Sequence, residues 1–248
     1  MHKINCSEVW GGIESLEEDI QSDGITASLF SLACDGGKGG DIYYFSVCGG
    51  DRLTRIAICD VVGHGEQVSQ TSSDLYESLR SHMNDPKGSE VLSDMNHVAI
   101  KHGIKALTTA AVVSYYIDSN AMSISYAGHP PGWVKRKERG VWQRAEMDCK
   151  RPGPANIPLG VLENTHYHQS EIGLSQGDQF VFYTDGILET PDSSRSLFGE
   201  DGVADVLNHS CSDASVFDIR RSLVEAAQDH GGGKLTHDDV TLLAFQVN

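Results

Sequence analysis

The sequence predicts an α+β fold, because helix pairs alternate along it with antiparallel β-hairpins. The first observation is a hairpin signal: β-prone runs at 41–48 and 53–59 are separated by Gly49-Gly50-Asp51, which favours a tight turn. The second is the change to helical spacing of apolar residues over 66–83. Single strands joined by single helices, which are typical of parallel sheets, do not occur in the pattern.

The other elements follow from the same two periodicities. Ser89 is expected to cap a second helix that ends at Gly103, and further helices are predicted at 202–209 and 215–228. Further strands are predicted at 25–33, 110–117, 122–127, 133–135, 141–142, 166–172, 179–184 and 240–247. Residues 1–24 form a short acidic lead-in with a short helix over 14–20, and 25–248 form a single domain without linker or repeat.

The composition excludes several classes of protein. With 35 acidic and 19 basic residues the net charge is −16, which argues against a nucleic-acid partner. Six cysteines form no C-x-x-C pair, so we expect free thiols in a reducing cytoplasm. The longest uncharged apolar stretch, 106–117, is too short to span a bilayer, so no membrane association is expected.

Four aspartates share one position relative to the predicted strands. Asp41 stands at a strand start, Asp60 and Asp185 at strand ends, and Asp238 just before the last strand. Antiparallel order allows these ends to share one rim, where four carboxylates would repel unless cations lay between them. The ligands are all oxygen, so two Mg²⁺ or Mn²⁺ ions are the expected neutralisers. A water held between two such ions suits attack on a phosphate ester.

Eight short motifs then occur in an order that resembles the metal-dependent protein phosphatases of the 2C family, in their bacterial sporulation-type (SpoIIE-like) branch. The resemblance spans about 25–247, and no one of its motifs is specific alone. The motifs are Gly39-Gly40-Asp41, Asp60-Val61-Val62-Gly63-His64-Gly65, Thr108-Thr109-Ala110, Ala127-Gly128-His129-Pro130-Pro131, Pro158-Leu159-Gly160, Thr184-Asp185-Gly186-Ile187-Leu188-Glu189, Phe198-Gly199 and Asp238-Asp239-Val240-Thr241-Leu242-Leu243.

The resemblance implies a four-layer αββα sandwich and hydrolysis of phosphoserine or phosphothreonine in proteins. By this likeness Asp60 bridges both metals, the Val61 carbonyl binds one of them, and Asp185 and Asp238 bind the other. Asp41 would reach the metals through water. Asp239 is the less favoured member of its pair as a ligand. The implied partners are a phosphorylated anti-sigma-factor antagonist as substrate and a separate regulatory chain.

Some positions depart from the family pattern, and two rival functions stay open. Tyr44 stands where this branch usually has an acid, and Lys38 is the nearest candidate for a phosphate-binding cation. His64 is expected to shape the loop after Asp60 rather than to act in catalysis. A catalytically silent binding or scaffold module is the main alternative. Hydrolysis of a small phosphoester would use the same chemistry with a different approach surface.

Overall fold

The computed structural model describes residues 1–63, 68–82, 84–145 and 156–248, which form two β-sheets flanked by helices. The strands are β1 His2–Lys3, β2 Glu8–Glu14, β3 Leu16–Gln21, β4 Ile25–Leu32, β5 Lys38–Cys48, β6 Leu53–Val61, β7 Thr108–Tyr116, β8 Ala121–Ala127, β9 Trp133–Lys135, β10 Trp142–Arg144, β11 Ser170–Gly173, β12 Gln179–Tyr183 and β13 Val240–Val247. The helices are α1 Ser69–Ser81, α2 Gly88–His102, α3 Asp185–Leu188, α4 Gly199–His209 and α5 Val216–His230.

The two sheets are built from different parts of the chain. The seven-stranded sheet has the order β1-β3-β4-β13-β12-β9-β10, and the six-stranded sheet has the order β11-β8-β7-β6-β5-β2. All named neighbours pair antiparallel except β1 with β3. The first half of the chain therefore supplies most of one sheet, and the last strand enters the centre of the other.

Three apolar layers hold the sheets and helices together. Along β5, Tyr43 and Phe45 face the layer between the sheets, while Ile42 and Tyr44 face α1 and α2. The same alternation in β13 directs every second residue towards α4 and α5. A strand changes face at each residue, so both sides of a central strand can be apolar and buried. The predicted four-layer αββα sandwich is confirmed.

The helix predicted at 14–20 is wrong, because this segment belongs to strands β2 and β3. Leu16 and Ile20 have helical spacing, but Ile20 is fully buried in the sheet, where β3 pairs with β4. The Glu17 carboxylate also contacts Arg220 of α5 at 2.6 Å. Pairing with β4 and this ion pair outweigh a weak local helical preference.

Most other predicted elements are present with shifted ends. α1 begins at Ser69, and residues 66, 67 and 83 of that prediction lie outside the described residues. Ser89 is not the cap of α2, since the helix begins at Gly88 after Lys87. A Cβ on Gly88 would lie 3.1 Å from Val112 Cγ1, so the helix start packs tightly on the sheet. Ser215 does cap α5, through a capping box with Asp218.

No helix in the described parts of the chain combines the length and apolarity needed to cross a bilayer. The longest of them, α2 and α5, have 15 residues each. A spanning helix needs about 20.

Candidate metal centre

The two sheets bring the four predicted aspartates to one end of the sandwich. In the β5–β6 pair Ile42 lies opposite Cys59, so the next pair outward is Asp41 opposite Asp60. In the other sheet, β12 ends just before Asp185, and Asp238 comes just before β13. Asp41 differs from its prediction in one respect: β5 begins at Lys38, so this residue lies inside the strand rather than at its start.

Asp41 is the buried carboxylate that links the two sheets. It is 3% exposed, and its Oδ2 accepts a hydrogen bond of 2.7 Å from the Thr184 hydroxyl. Burial raises the pKa of Asp41, although the Thr184 and Thr241 hydroxyls act in the opposite direction. Its other oxygen, Oδ1, is buried without a hydrogen-bond partner. A buried acceptor without a donor is costly, so this oxygen suits a bound ion or water.

Asp60 and Asp185 meet across the gap between the sheets. Burial raises the pKa of Asp60, and the charges of Asp41, Asp185 and Asp238 and a hydrogen bond to Asp185 raise it further. Burial also raises the pKa of Asp185, with further contributions from Glu189 and Asp238. The charges that act most strongly here are thus all negative. Two carboxylates in contact cannot both be ionised unless a cation lies beside them.

The backbone around Val61 depends on a glycine. A Cβ on Gly40 would lie 2.8 Å from the Val61 carbonyl oxygen and 2.9 Å from that of Gly63. Only glycine allows this close approach without displacing one of the two carbonyls. The family-derived ligand, the Val61 carbonyl, therefore lies against the Gly39-Gly40-Asp41 motif at the same end of the sandwich.

Asp239 is a bracing residue that the sequence analysis did not recognise. Its Oδ1 accepts from the Cys34 backbone N–H at 2.8 Å, and its Oδ2 accepts from the Gly40 N–H at 2.6 Å. A Cβ on Gly39 would come within 2.9 Å of its Oδ2, and a Cβ on Gly186 would overlap its carbonyl oxygen. The glycines of the Gly39-Gly40 and Asp185-Gly186 motifs, which pack against Asp239, are the sequence feature that could have pointed to this role.

The remaining polar candidates lie away from this cluster or outside the described residues. Lys38 Nζ is 3.9 Å from Glu14 Oε1 in an exposed pair. Tyr44 is fully buried beneath α1 and forms an edge-on ring contact with Tyr76. His64 lies outside the described residues.

The donor set fits a hard divalent cation. Carboxylate and carbonyl oxygens are the ligands that Mg²⁺ and Mn²⁺ prefer, and such ions keep several waters. Within the described ranges, no three His, Cys, Asp or Glu side chains already stand in the arrangement of a metal site. The residues that could hold the ions are Asp41, Asp60, Asp185 and Asp238 by their side chains and Val61 by its carbonyl.

Comparison with known proteins identifies the family. The family model described as Stage II sporulation protein E (SpoIIE) matches residues 50–248. The chain belongs to the SpoIIE family. It is 27% identical over 214 residues to phosphoserine phosphatase RsbU of Bacillus subtilis, an alignment that covers 84% of this chain and 59% of RsbU. It is 22% identical to phosphoserine phosphatase RsbP of the same organism, covering 94% of this chain and 55% of RsbP.

Solved structures share the fold of this SpoIIE-family chain. The RsbU and RsbW domains of Rv1364c from Mycobacterium tuberculosis match with a TM-score of 0.74 and 24% identity, covering 95% of this chain and 63% of that one. RsbX in complex with magnesium matches with a TM-score of 0.67 and 14% identity, covering 94% and 100%. The catalytic domain of the phosphatase PstP with two manganese ions matches at 0.58 and 17%, covering 90% and 98%.

Proposed function

We propose that this protein is an Mg²⁺- or Mn²⁺-dependent protein serine/threonine phosphatase. The observation that supports this most directly is the contact of Asp60 with Asp185 between the sheets, close to the charges of Asp41 and Asp238. Four acidic side chains at one partly buried edge, with Asp41 fully enclosed, are unfavourable unless cations neutralise them. Membership of the SpoIIE family supports the same function.

Each residue has a separate role in the proposal. Asp60 would bind both ions, as the family resemblance implies, and the charges of Asp41 and Asp185 both act on its carboxyl group. The Val61 carbonyl would bind one ion, and Asp185 and Asp238 the other. Asp41 would act through water, with the Thr184 hydroxyl fixing the orientation of its carboxylate. Asp239 would keep the Gly39-Gly40 segment in place rather than bind metal.

Two bound ions would acidify a shared water molecule and offset the charge on the phosphoryl oxygens. The protein itself contributes by holding the carboxylates in fixed positions. Rigid strand ends hold the carboxylates, and the hydroxyl bond to Asp41 restricts that side chain to one orientation.

The proposed partners follow from the relatives. RsbU and RsbP are named phosphoserine phosphatases, and this chain spans little more than half of either. From the family resemblance we propose a phosphorylated anti-sigma-factor antagonist as substrate, a separate regulatory chain as the activating partner, and action in the cytoplasm. RsbX with magnesium and PstP with manganese support a divalent metal.

The test is phosphate release from a phosphoserine protein with Mn²⁺ and with a chelator. We expect release only with the metal, and a loss of at least about 100-fold for Asp60→Asn, since a metal ligand is removed. Asp118→Asn, at an exposed ion pair with Arg52, is the control and should retain full activity. A folded protein that neither binds Mn²⁺ nor releases phosphate would instead be the silent scaffold.

A further inference from the structure

A cavity of about 380 Å³ lies at the end of the sandwich opposite to the metal centre. It opens between the β9–β10 hairpin and the loop that joins α4 to α5. Lys135 of β9 pairs with Gln179, the first residue of β12, and β12 runs from there towards Asp185. Gln246, near the end of β13, also lines the cavity. A ligand bound here would therefore not touch the aspartates of the metal centre.

The cavity contains a lysine that is almost completely enclosed. Lys135 is 5% exposed, and its Nζ lies 5.9 Å from the centre of the Trp142 ring. The Nζ group donates one hydrogen bond within the described residues, of 2.8 Å, to the Ser212 carbonyl. An ammonium group has three N–H donors, so two remain for another acceptor. Burial lowers the pKa of Lys135, as expected for a cation that is removed from water.

No carboxylate in the described part of the chain forms an ion pair with Lys135. Asp213 lines the same cavity and its charge raises the pKa of Lys135, but this aspartate is exposed and lies beyond ion-pair distance. The neighbouring cation Arg136 has its own partner, Asp178, at 2.7 Å. A buried charge without a counter-ion is costly, so an anion that enters the cavity would be stabilised.

Lys137 adds a second positive charge at the wall of the cavity. A Cβ on Gly177 would lie 2.6 Å from Lys137 Cδ and 3.3 Å from its Nζ, so the lysine side chain folds over this glycine. Four of the 19 basic residues of the chain, with one acidic residue among them, fall within 135–139. The net charge of the whole chain is −16. Positive potential is therefore concentrated at this end of an acidic protein, where it attracts anions.

Hydrogen bonds hold the walls of the cavity in place. The Gln179 side-chain amide donates to the Ala214 carbonyl at 2.9 Å and to Gln246 Oε1 at 3.1 Å. The Gly177 N–H donates to the Val247 carbonyl at 2.8 Å. These bonds join the loop between α4 and α5 to the ends of β12 and β13. A ligand would enter a site that is already formed, so little binding energy is lost in ordering it.

We propose that this cavity binds a small organic monocarboxylate, which accepts hydrogen bonds from the remaining Lys135 N–H groups and is attracted by Lys137. Ala214, the glycines and the aliphatic stem of Lys137 would surround its apolar part. The volume lies near the lower end of the range for small-molecule sites, about 300–1,000 Å³. Inorganic phosphate fits less well, because a doubly charged oxyanion needs more enclosed donors than one ammonium group supplies.

The test uses benzoate as the probe and benzamide, which has nearly the same shape without the charge, as the control ligand. Heteronuclear NMR titration of the full chain with Mg²⁺ present measures Kd from the N–H signals of Gly177 and Ala214. We expect a Kd on the order of 1 mM for benzoate and no saturable shift with benzamide. Inorganic phosphate should bind at these signals at least about tenfold more weakly than benzoate.

Three variants assign the binding to individual charges. Lys135→Met keeps an aliphatic side chain but removes the ammonium group, and should raise the Kd for benzoate at least about tenfold. Asp213→Asn removes the nearby negative charge and should lower that Kd by about twofold. Lys101→Met, at the exposed end of α2, is the matched control and should leave the Kd unchanged. Asp213 and Lys101 are both exposed, so these two variants should fold even if Lys135→Met does not.

Several results would overturn the proposal. Benzamide that binds as tightly as benzoate would show that charge does not select the ligand, and phosphate that binds more tightly would reject an organic carboxylate. A Kd for benzoate that a folded Lys135→Met variant leaves unchanged, or that Asp213→Asn fails to lower, would show that Lys135 is not the binding group. No saturable shift with benzoate would reject the site. The phosphatase proposal would stand in every case, because the cavity shares no residue with the metal centre.

Discussion

Asp239 shows how one buried carboxylate determines the identity of its neighbours. It is 3% exposed, accepts hydrogen bonds from the backbones of Cys34 and Gly40, and leaves no space for a side chain at Gly39. The backbone carbonyl of the same residue leaves none at Gly186. The loop before β5 is therefore fixed on the start of β13. Because Asp41 and Asp238 flank these contacts, their positions depend on the same brace.

Gly186→Ala tests this dependence. The added methyl group would overlap the Asp239 carbonyl oxygen, so the backbone must shift, and we expect a loss of stability of about 2 kcal/mol together with weaker Mn²⁺ binding. Thermal unfolding and calorimetric titration measure the two effects. Gly173→Ala is the control, since a Cβ on this β11 residue would have no other atom within 4 Å, and it should be neutral.

His129 supplies a prediction about pH. It is 1% exposed, its Nδ1 lies 2.8 Å from the Pro130 carbonyl oxygen, and burial lowers its pKa to about 4. Below about pH 6.5, the His129 imidazole therefore binds a proton in the unfolded chain but not in the folded chain. The contribution of His129 to stability should be complete above pH 6.5 and fall towards pH 4, by about 3 kcal/mol at most.

The measurement is chemical unfolding between pH 7 and pH 4 for the unchanged chain and for His129→Asn, with the slopes compared rather than the absolute values. The variant should lose less stability over this interval, because it has no imidazole to protonate. His209→Asn, at an exposed helix end, is the control and should keep the original slope. Equal slopes for the unchanged chain and His129→Asn would contradict the assignment.

At the residue scale, the sequence predicts which aspartates converge but not how they are supported. Strand-end position selected Asp60, Asp185 and Asp238, because antiparallel pairing fixes which ends meet; Asp41 joins them from within β5, close to the start of that strand. The Thr184 bond to Asp41 joins residues 143 positions apart in different sheets. No local pattern encodes such a contact, since it depends on how the two sheets face each other.

At the scale of elements, Arg55 fixes the α1–α2 hairpin on the six-stranded sheet. This β6 residue is 1% exposed and its guanidinium donates to the Ser114 hydroxyl at 3.2 Å, the His82 carbonyl at 2.8 Å and the Asp85 carbonyl. The His82 carbonyl belongs to the end of α1, where a cation is favourable. The Arg55 side chain thus supplies hydrogen bonds to two backbone carbonyls, one at the end of α1 and one in the following turn.

Arg55→Met should cost about 3 kcal/mol, because two buried carbonyls lose their donor. Hydrogen exchange should accelerate first in the last turn of α1 and the start of α2. Arg52→Met removes the exposed ion pair with Asp118 and should change stability by less than about 0.5 kcal/mol. If the two variants were equally stable, Arg55 would not be the anchor of the hairpin.

Elements with strong periodicity were predicted well, and those defined by distant pairing were not. The final strand, β13 Val240–Val247, matches its prediction, and the capping box at Ser215 marks the start of α5. β3 was predicted as a helix, because its acidic sequence has no alternation of apolar residues and gains its conformation from β4 and Arg220. Neither β4 nor Arg220 can be identified as a partner of β3 from the sequence of the segment itself.

For the whole molecule, stability, metal binding and pH are linked through the carboxylate cluster. Burial raises the pKa of Asp41, Asp60 and Asp185 above their ordinary values. The folded chain without metal therefore holds protons that the unfolded chain releases above about pH 4. The stability that these bound protons contribute is present at low pH. It is lost as the pH rises through the raised pKa values that the three carboxyl groups have in the folded chain.

Divalent cations should reverse that loss, since they neutralise the same carboxylates without protons. At about 100 times the dissociation constant a bound ion adds about 2.7 kcal/mol of stability, and this gain should grow as the pH rises because fewer protons compete. The measurement is the difference in Tm between Mn²⁺ and chelator across the pH range. Asp60→Asn should be more stable than the unchanged chain in chelator and gain little from Mn²⁺. A difference in Tm that is independent of pH, or retained in Asp60→Asn, would show that the metal acts elsewhere on the molecule.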